Sequence, residues 1–353
     1  MIVKIITDNT DIKNIFKELE ESNLLGIDTE FIREKTYYPI LSLIQLAVNN
    51  KVFIFDCVKK NKNLKILREI LNDDKYVKIF HDSEQDIEII NDFFNIDLKN
   101  YFDTQLANAF IDTELNISYK NLVSRYLDIN IDKEQQTSNW LRRPLNKNQI
   151  KYAANDVIYL EQIYTKILSK LKNDNKYDWL IEEQKKIRIN ILYKKDENNS
   201  WEKIKLSDNT KIDKKLLIKI SKFREKISRE RNIPKNWFLR DKNIIRLSSK
   251  KINNLSDLEN ENLTSNRFFE NLDYQLLYEN FHGHKLSLTK TKSYRFNIKI
   301  YQKILENISK ELSVSQYLIA NKKDLENHFG ENKVKINGWR KKIFEDIKAK
   351  TKE

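Results

Sequence analysis

Three apolar, β-rich segments crowd together near the start of the chain: LLGIDTEF (24–31), LSLIQLAV (41–48) and KVFIFD (51–56). Spacing this close suits strands that pair as neighbours in an antiparallel meander. Around them the pattern alternates between strand-like and helix-like periods. VKII (3–6) reads as a strand, and Asp8 is placed to cap a helix running to about Glu21. A helix over Leu64–Leu71, a strand at YVKIF (76–80) and a helix from about Ser83 follow. A short extended piece ends at FDT (102–104), with helices expected over 104–111, 118–127 and 147–170. Strands interleaved with helices require a mixed sheet covered by helices, which is an α/β layer architecture.

The period then changes. KKDENNSWEKI (194–204) is polar and reads as a linker. Beyond it, Leu216, Ile220, Phe223 and Ile227 recur at spacings of four and three, the stripe of a buried helix face. Lys215, Lys219, Lys222, Lys226 and Arg229 run beside it, an arrangement that serves either a solvated face or an anion-binding one. Another helical stretch covers 294–353, with a break expected near GENKVKING (330–338). At 353 residues the chain exceeds what one hydrophobic core usually serves.

Composition removes whole classes of chemistry. The four glycines are Gly26, Gly283, Gly330 and Gly338, so no P-loop and no GxGxxG turn can be built. Four histidines and one cysteine make no zinc-type cluster, so a bound metal would need carboxylate oxygens and would be hard, like Mg²⁺ or Mn²⁺. Apolar runs fall short of the roughly 18 residues of a membrane span, and the start lacks the long apolar core of a signal peptide. The lone Cys57 fits a reducing, cytoplasmic setting. Charge is uneven: residues 1–200 carry a net −2 and residues 201–353 a net +15. That contrast suggests a nucleic-acid-binding region joined to a different kind of domain.

The acids stand at suggestive places. Asp28 and Glu30, two apart on a strand, project from one face. Their mutual repulsion calls for a neutralising cation, although a lone DxE is usually a surface pair. KIFHDSEQDIEII (78–90) leads a strand into an acid-rich helix, where Asp82 or Ser83 suits an N-cap and Asp86 can face inward. Asp103 suits helix capping. In YAANDVIYL (152–160), Tyr152 and Asp156 lie one turn apart, and Ala153 and Ala154 admit a close neighbour.

Taken together, DTEF, H81-x-x-x-x-D86 and Y152-x-x-x-D156 resemble the three exonuclease motifs of the DEDD superfamily, in its tyrosine-bearing branch. DTEFIREKTYYPILSLIQL (28–46), FDTQLA (102–107), SNWLRRPL (138–145) and YAANDVIYL are similar to bacterial ribonuclease D across about residues 1–190. LLIKISKFREKISRERNIPKNWFLRD (216–241) resembles an HRDC module, and INGWRKKIF (336–344) resembles the end of a second. The resemblance implies a ribonuclease H-like α/β exonuclease domain over 1–195, a mixed sheet flanked by helices. Two small all-α HRDC-like domains would follow, at 208–288 and 292–353.

By the same resemblance, Asp28, Glu30, Asp86 and Asp156 would hold two divalent cations, Mg²⁺ or Mn²⁺, and Tyr152 would orient the attacking water. Phe31, Gln45, His81, Trp140 and Arg143 become candidate substrate contacts, with Arg142 and Lys147 as further phosphate candidates. The implied activity is 3′–5′ exoribonuclease, releasing 5′-mononucleotides from tRNA precursors and other 3′-tailed structured RNA, with the protein a monomer and no membrane partner. A DNA 3′–5′ exonuclease with the same carboxylates is the first rival, and an inactive fold that binds RNA is the second. Asp82 and Asn139 depart from the family's usual residues without removing a ligand. Residues 1–200 are expected to carry the chemistry, and the basic remainder to supply RNA affinity.

Overall fold

A computed structural model describes residues 2–8, 12–59, 61–131, 138–193, 197–207, 210–261, 263, 268–290, 298–330 and 334–351. Its contacts group the chain into two units: Met1–Ile32, Leu41–Ile189 and Phe296–Glu353 in unit 1, and Arg33–Ile40 with Asn190–Arg295 in unit 2. Among the described residues, no helix is long and apolar enough to cross a membrane.

Unit 1 is built on β1 (Ile2–Ile6), α1 (Lys13–Glu21), β2 (Leu24–Ile32), β3 (Ile40–Val48), β4 (Lys51–Asp56), α2 (Asn63–Asn72) and β5 (Val77–Phe80). It continues with α3 (Glu84–Phe94), β6 (Tyr101–Asp103), α4 (Thr104–Asn108), α5 (Tyr119–Leu127), α6 (Lys147–Ile158), α7 (Leu160–Asn173) and α8 (Tyr177–Tyr193). The sheet runs β1-β4-β3-β2-β5-β6. β3 and β4 are antiparallel, whereas β1–β4, β2–β5 and β5–β6 are parallel. A mixed sheet flanked by helices is therefore the architecture of this unit. β2 lies inside the sheet, which is why its first half reads as the continuous apolar run Leu24–Ile27.

Three local expectations are corrected. Asp8 does not cap α1; its carboxylate accepts from the Lys62 amide, and the α1 N-cap is Ile12, without a side-chain bond. The helix expected over 147–170 is two helices, separated at Tyr159. α4 stops at Asn108 rather than 111. The break at Tyr159 has no Gly or Pro to announce it, and it falls beside Gly26 of β2. A Cβ on Gly26 would lie 2.7 Å from the Val157 carbonyl oxygen and 3.3 Å from both Ala47 Cβ and Leu160 Cβ. Glycine thus lets the carboxylate strand press directly on the α6–α7 junction.

The C-terminal helices α14 (Ile298–Leu312), α15 (Gln316–Ile319), α16 (Lys322–Phe329) and α17 (Arg340–Lys350) complete the same unit. They break at 313–315 and 320–321 as well as after 330. Leu305, Ile319, Phe344 and Ile347 share one core cluster with Phe110, Ile163 and Leu180. Trp339 stacks on Trp179 at 5.0 Å and meets Phe110 edge-on at 5.2 Å. Arg340 grips the Glu183 carboxylate of α8 through both terminal nitrogens, at 2.7 and 2.9 Å. Gly338, at φ +70°, sits against the Glu182 carboxylate, where a Cβ would collide.

Unit 2 is helical: α9 (Lys214–Glu230), α10 (Lys235–Phe238), α11 (Asp241–Leu247), α12 (Leu255–Glu259) and α13 (Asn271–Tyr278), with the small pair β7 (Lys211–Ile212) and β8 (Thr289–Lys290). The stripe Leu216, Ile220, Phe223 and Ile227 is buried in its core. Lys215, Lys219, Lys222 and Lys226 are exposed, and Arg229 is half-buried against Glu197. The stretch expected as a linker is ordered instead where described. Glu197–Lys203 forms a 3-10 helix against α9, with Lys214 over the Trp201 ring, and Ile204 is buried. The segment after β2 is also part of this unit. The Tyr37 hydroxyl donates to Glu225, and the amides of Tyr37 and Tyr38 both donate to Asn232 Oδ1.

Candidate active site

Backbone geometry brings the acids together. β2 ends with Asp28 and Glu30 half-buried on one face and Thr29 buried on the other. α6 crosses near them and carries Tyr152 and Asp156 on adjacent turns of one face, with Ala153 and Ala154 fully buried beneath. Oxygen atoms of Asp28, Glu30 and Asp156 lie within 4.8 Å of one another. α3 supplies Asp86, whose Oδ1 accepts a short hydrogen bond from the Thr29 hydroxyl. The three-carboxylate group and Asp86 are thus joined through adjacent positions of one strand.

The loop into α3 is held by Asp103, not by its own residues. The amides of Asp82 and Ser83 donate to the Asp103 carboxylate at 3.2 and 2.8 Å. Asp103 also caps α4 by accepting from the amides of Gln105 and Leu106. One buried acid therefore anchors two helix starts. Of the two N-cap candidates, Ser83 takes the N-cap position of α3 but makes no side-chain cap bond, and Asp82 lies outside the helix at φ +62°.

Electrostatics mark the cluster as incomplete without positive charge. Burial and the neighbouring Asp86, Asp156 and Glu30 hold the Asp28 carboxyl well above the usual range. Burial, then Asp156 and Asp86, raise Glu30 to about 9. Asp86 rises to about 7, chiefly through burial, with the Thr29 hydrogen bond opposing. Burial and Asp156 push the Tyr152 phenol further up, and it hydrogen-bonds to Asp156. A group of carboxylates so crowded, offering only oxygen donors, fits hard divalent cations.

A cavity of about 450 Å³ opens over these groups. Phe31, His81, Trp140 and Tyr152 line it beside the acids. His81 Nε2 donates to the Ile117 carbonyl at 3.0 Å while Nδ1 lies 3.0 Å from the Thr104 hydroxyl, so both nitrogens are engaged by protein. Trp140 packs against Tyr152 at 5.9 Å and is 2% exposed. Its indole nitrogen has no acceptor among the described residues.

Two expected substrate contacts lie elsewhere. Gln45 is fully buried within β3 and does not line the cavity. Arg143 is committed to protein: Nε and Nη2 meet Asp56 at 2.6 and 2.8 Å, and Nη1 donates to the Trp140 carbonyl at 2.6 Å. It thereby fixes the loop that carries Trp140. Arg142 and Lys147 are exposed and do not line the cavity. Two features had no signal in the sequence: Thr29 as the partner of Asp86, and the wall formed by Gln105, Ser118, Tyr119 and Lys120. Nothing in ISYK marks a cavity wall, because it becomes one only through the packing of α5.

Comparison with known proteins agrees with this geometry. Residues 3–172 match the model of a 3′–5′ exonuclease family, a span that includes all four acids and Tyr152. Ribonuclease D of Bartonella henselae is 29% identical, over 97% of this chain and 88% of its own length. That of Desulfotalea psychrophila is 34% identical, over 69% of this chain and 66% of its own. In fold, the crystal structure of Escherichia coli RNase D, an exoribonuclease involved in structured RNA processing, superposes with a TM-score of 0.81. That likeness covers 99% of this chain and 98% of the other at 22% identity. The carboxylate strand, the tyrosine-bearing helix and the sequence relatives converge, and the chain belongs to the ribonuclease D family of 3′–5′ exonucleases.

Proposed function

We propose that this protein is a divalent-cation-dependent 3′–5′ exoribonuclease that releases 5′-mononucleotides from the 3′ ends of tRNA precursors and other structured RNAs. The observation that carries it is the set of oxygen atoms of Asp28, Glu30 and Asp156 within 4.8 Å, with Asp86 tied in through Thr29. Asp28, Glu30, Asp86 and Asp156 would hold two cations, Mg²⁺ or Mn²⁺, which supply charge neutralisation at the scissile phosphate and acidification of water. Tyr152 stays protonated at neutral pH because burial and Asp156 both disfavour its anion. Its hydroxyl proton is engaged by Asp156, so its oxygen accepts a hydrogen bond from the attacking water and aligns it. Hydrolysis forms the water oxygen–phosphorus bond and breaks the phosphorus–O3′ bond. The proton lost by water balances the O3′ oxygen of the shortened strand.

Phe31 is the apolar surface offered to the terminal base, Trp140 backs Tyr152 from beneath, and His81 shapes the cavity wall. The described helical elements of 208–288 and 292–353 serve as the HRDC-like modules that hold the rest of the RNA. The protein acts as a monomer in the cytoplasm.

The test uses a 3′-tailed tRNA precursor with matched RNA and DNA oligonucleotides, in Mg²⁺ or EDTA. Asp28→Ala is expected to lower RNA hydrolysis by more than about a hundredfold. Hydrolysis by Asp28→Ala at the wild-type rate would overturn the assignment of the site. Faster degradation of the DNA strand would favour the rival DNA exonuclease, which the ribonuclease D relatives disfavour.

A further inference from the structure

The cleft holds one ammonium group among its acids. Lys120, in the first turn of α5, is half-buried and lines the same cavity as Asp28, Glu30, Tyr152 and Asp156. No other lysine or arginine among the described residues lines it. Its position is fixed from both sides. Ser118 caps α5 by accepting from the Asn121 amide, and the Tyr119 ring lies 5.4 Å from the His81 ring. Yet among the described residues the Lys120 side chain makes neither an ion pair nor a hydrogen bond. A partly buried lysine beside several carboxylates ordinarily pairs with the nearest one. Here the carboxylates of Asp28, Glu30 and Asp156 are grouped with one another instead.

Charge balance indicates what Lys120 is for. Four carboxylates match two divalent cations, leaving the single negative charge of a phosphodiester uncompensated inside the cavity. We propose that Lys120 binds a non-bridging phosphate oxygen of the RNA strand near its 3′ end and thereby sets affinity for the reacting end. This rests on the exonuclease reading of the carboxylates. A lysine engages phosphate as a point charge, so arginine should substitute for it and a neutral side chain should not.

Lys120→Met, Lys120→Gln and Lys120→Arg are to be compared with the full-length wild type, each checked for folding by circular dichroism. Met and Gln have helix propensities close to that of Lys, so α5 should persist in both. Hydrolysis of a short oligoribonucleotide with a free 3′ hydroxyl should show KM raised about tenfold in the neutral variants, with kcat within about twofold and Lys120→Arg near wild type. Binding of the same oligonucleotide, followed by fluorescence anisotropy in EDTA, should weaken to match. Its log–log salt slope should be shallower by about 0.7. An unchanged KM and salt slope in both neutral variants would make Lys120 an ordinary solvated side chain. A fall in kcat at constant KM would also overturn a binding role. Failure of the wild type to hydrolyse RNA would refute the exonuclease reading instead, and the anisotropy comparison would still judge Lys120.

Discussion

Lys78 is fully buried in β5, with its Nζ donating to the Asp73 carbonyl at 3.0 Å. Burial lowers its pKa to about 8, against the attraction of Asp74 and Asp73. The sign of its contribution follows. Below about 8 the lysine is protonated in both folded and unfolded chains, and the desolvation cost is fully present. Between about 8 and the ordinary value near 10.4, the folded protein loses the proton first, so stability rises with pH. Lys78→Met should therefore stabilise the protein by about 1–3 kcal/mol at neutral pH, and the gain should shrink above pH 8 or so. Urea titrations at about pH 7 and about pH 9.5 measure both; parallel pH dependence of wild type and variant would contradict the argument. At this scale the acids were legible in the sequence, because period and spacing put Asp28 with Glu30 and Tyr152 with Asp156. Their partners were not. Asp86 needs Thr29, and Arg143 is spent on Asp56, pairings made across long stretches of chain. Spacing within one element carries no information about such contacts.

The element that decides the site is the crossing of β2 with the α6–α7 junction. Its contact is set by a glycine whose importance could not be seen from the strand itself. Gly26 reads as one weak point in an apolar run, and nothing local shows that the Val157 carbonyl will occupy the space of its missing Cβ. The same crossing explains why the expected single helix is two. The break at Tyr159 follows tertiary packing against β2, not a Gly or Pro in the helix. Since the obstacle is backbone, it cannot rotate away. Gly26→Ala should separate β2 from α6, costing about 1–3 kcal/mol of stability and shifting Asp28 and Glu30 relative to Asp156. A shift of about 1 Å at such a site is enough to slow hydrolysis about a hundredfold. Thermal melting and kcat on the same oligoribonucleotide test the two parts. A variant with wild-type kcat would show that the strand tolerates the displacement.

For the whole molecule, charge and packing divide the chain along different lines. By unit, the net charge is +11 for unit 2 and +2 for unit 1. The charge contrast visible in the sequence is therefore concentrated in the helical unit around α9. The C-terminal helices belong with the catalytic unit instead, through Trp339, Arg340 and the Ser315 amide, which donates to the Ala109 carbonyl at 2.8 Å. That changes the expectation for a fragment ending at residue 200. Such a fragment would lose α14–α17 and expose the apolar surface around Phe110, Trp179 and Leu180, so it should melt lower or aggregate. Its weak RNA binding would then say nothing about the basic unit.

Neutralising exposed lysines in the intact chain separates the two effects. Lys215, Lys219 and Lys226 are exposed on α9, so exchanging all three for Gln should leave the melting temperature nearly unchanged. If they pair with RNA phosphates, affinity for long RNA should fall, and each lysine–phosphate pair removed should lower the log–log salt slope by about 0.7 on single strands. Hydrolysis of a short oligonucleotide, which needs only the carboxylate cavity, should stay near wild type. A salt slope identical to wild type would assign the α9 lysines to solubility and move the search for the RNA surface to the remaining cations of unit 2.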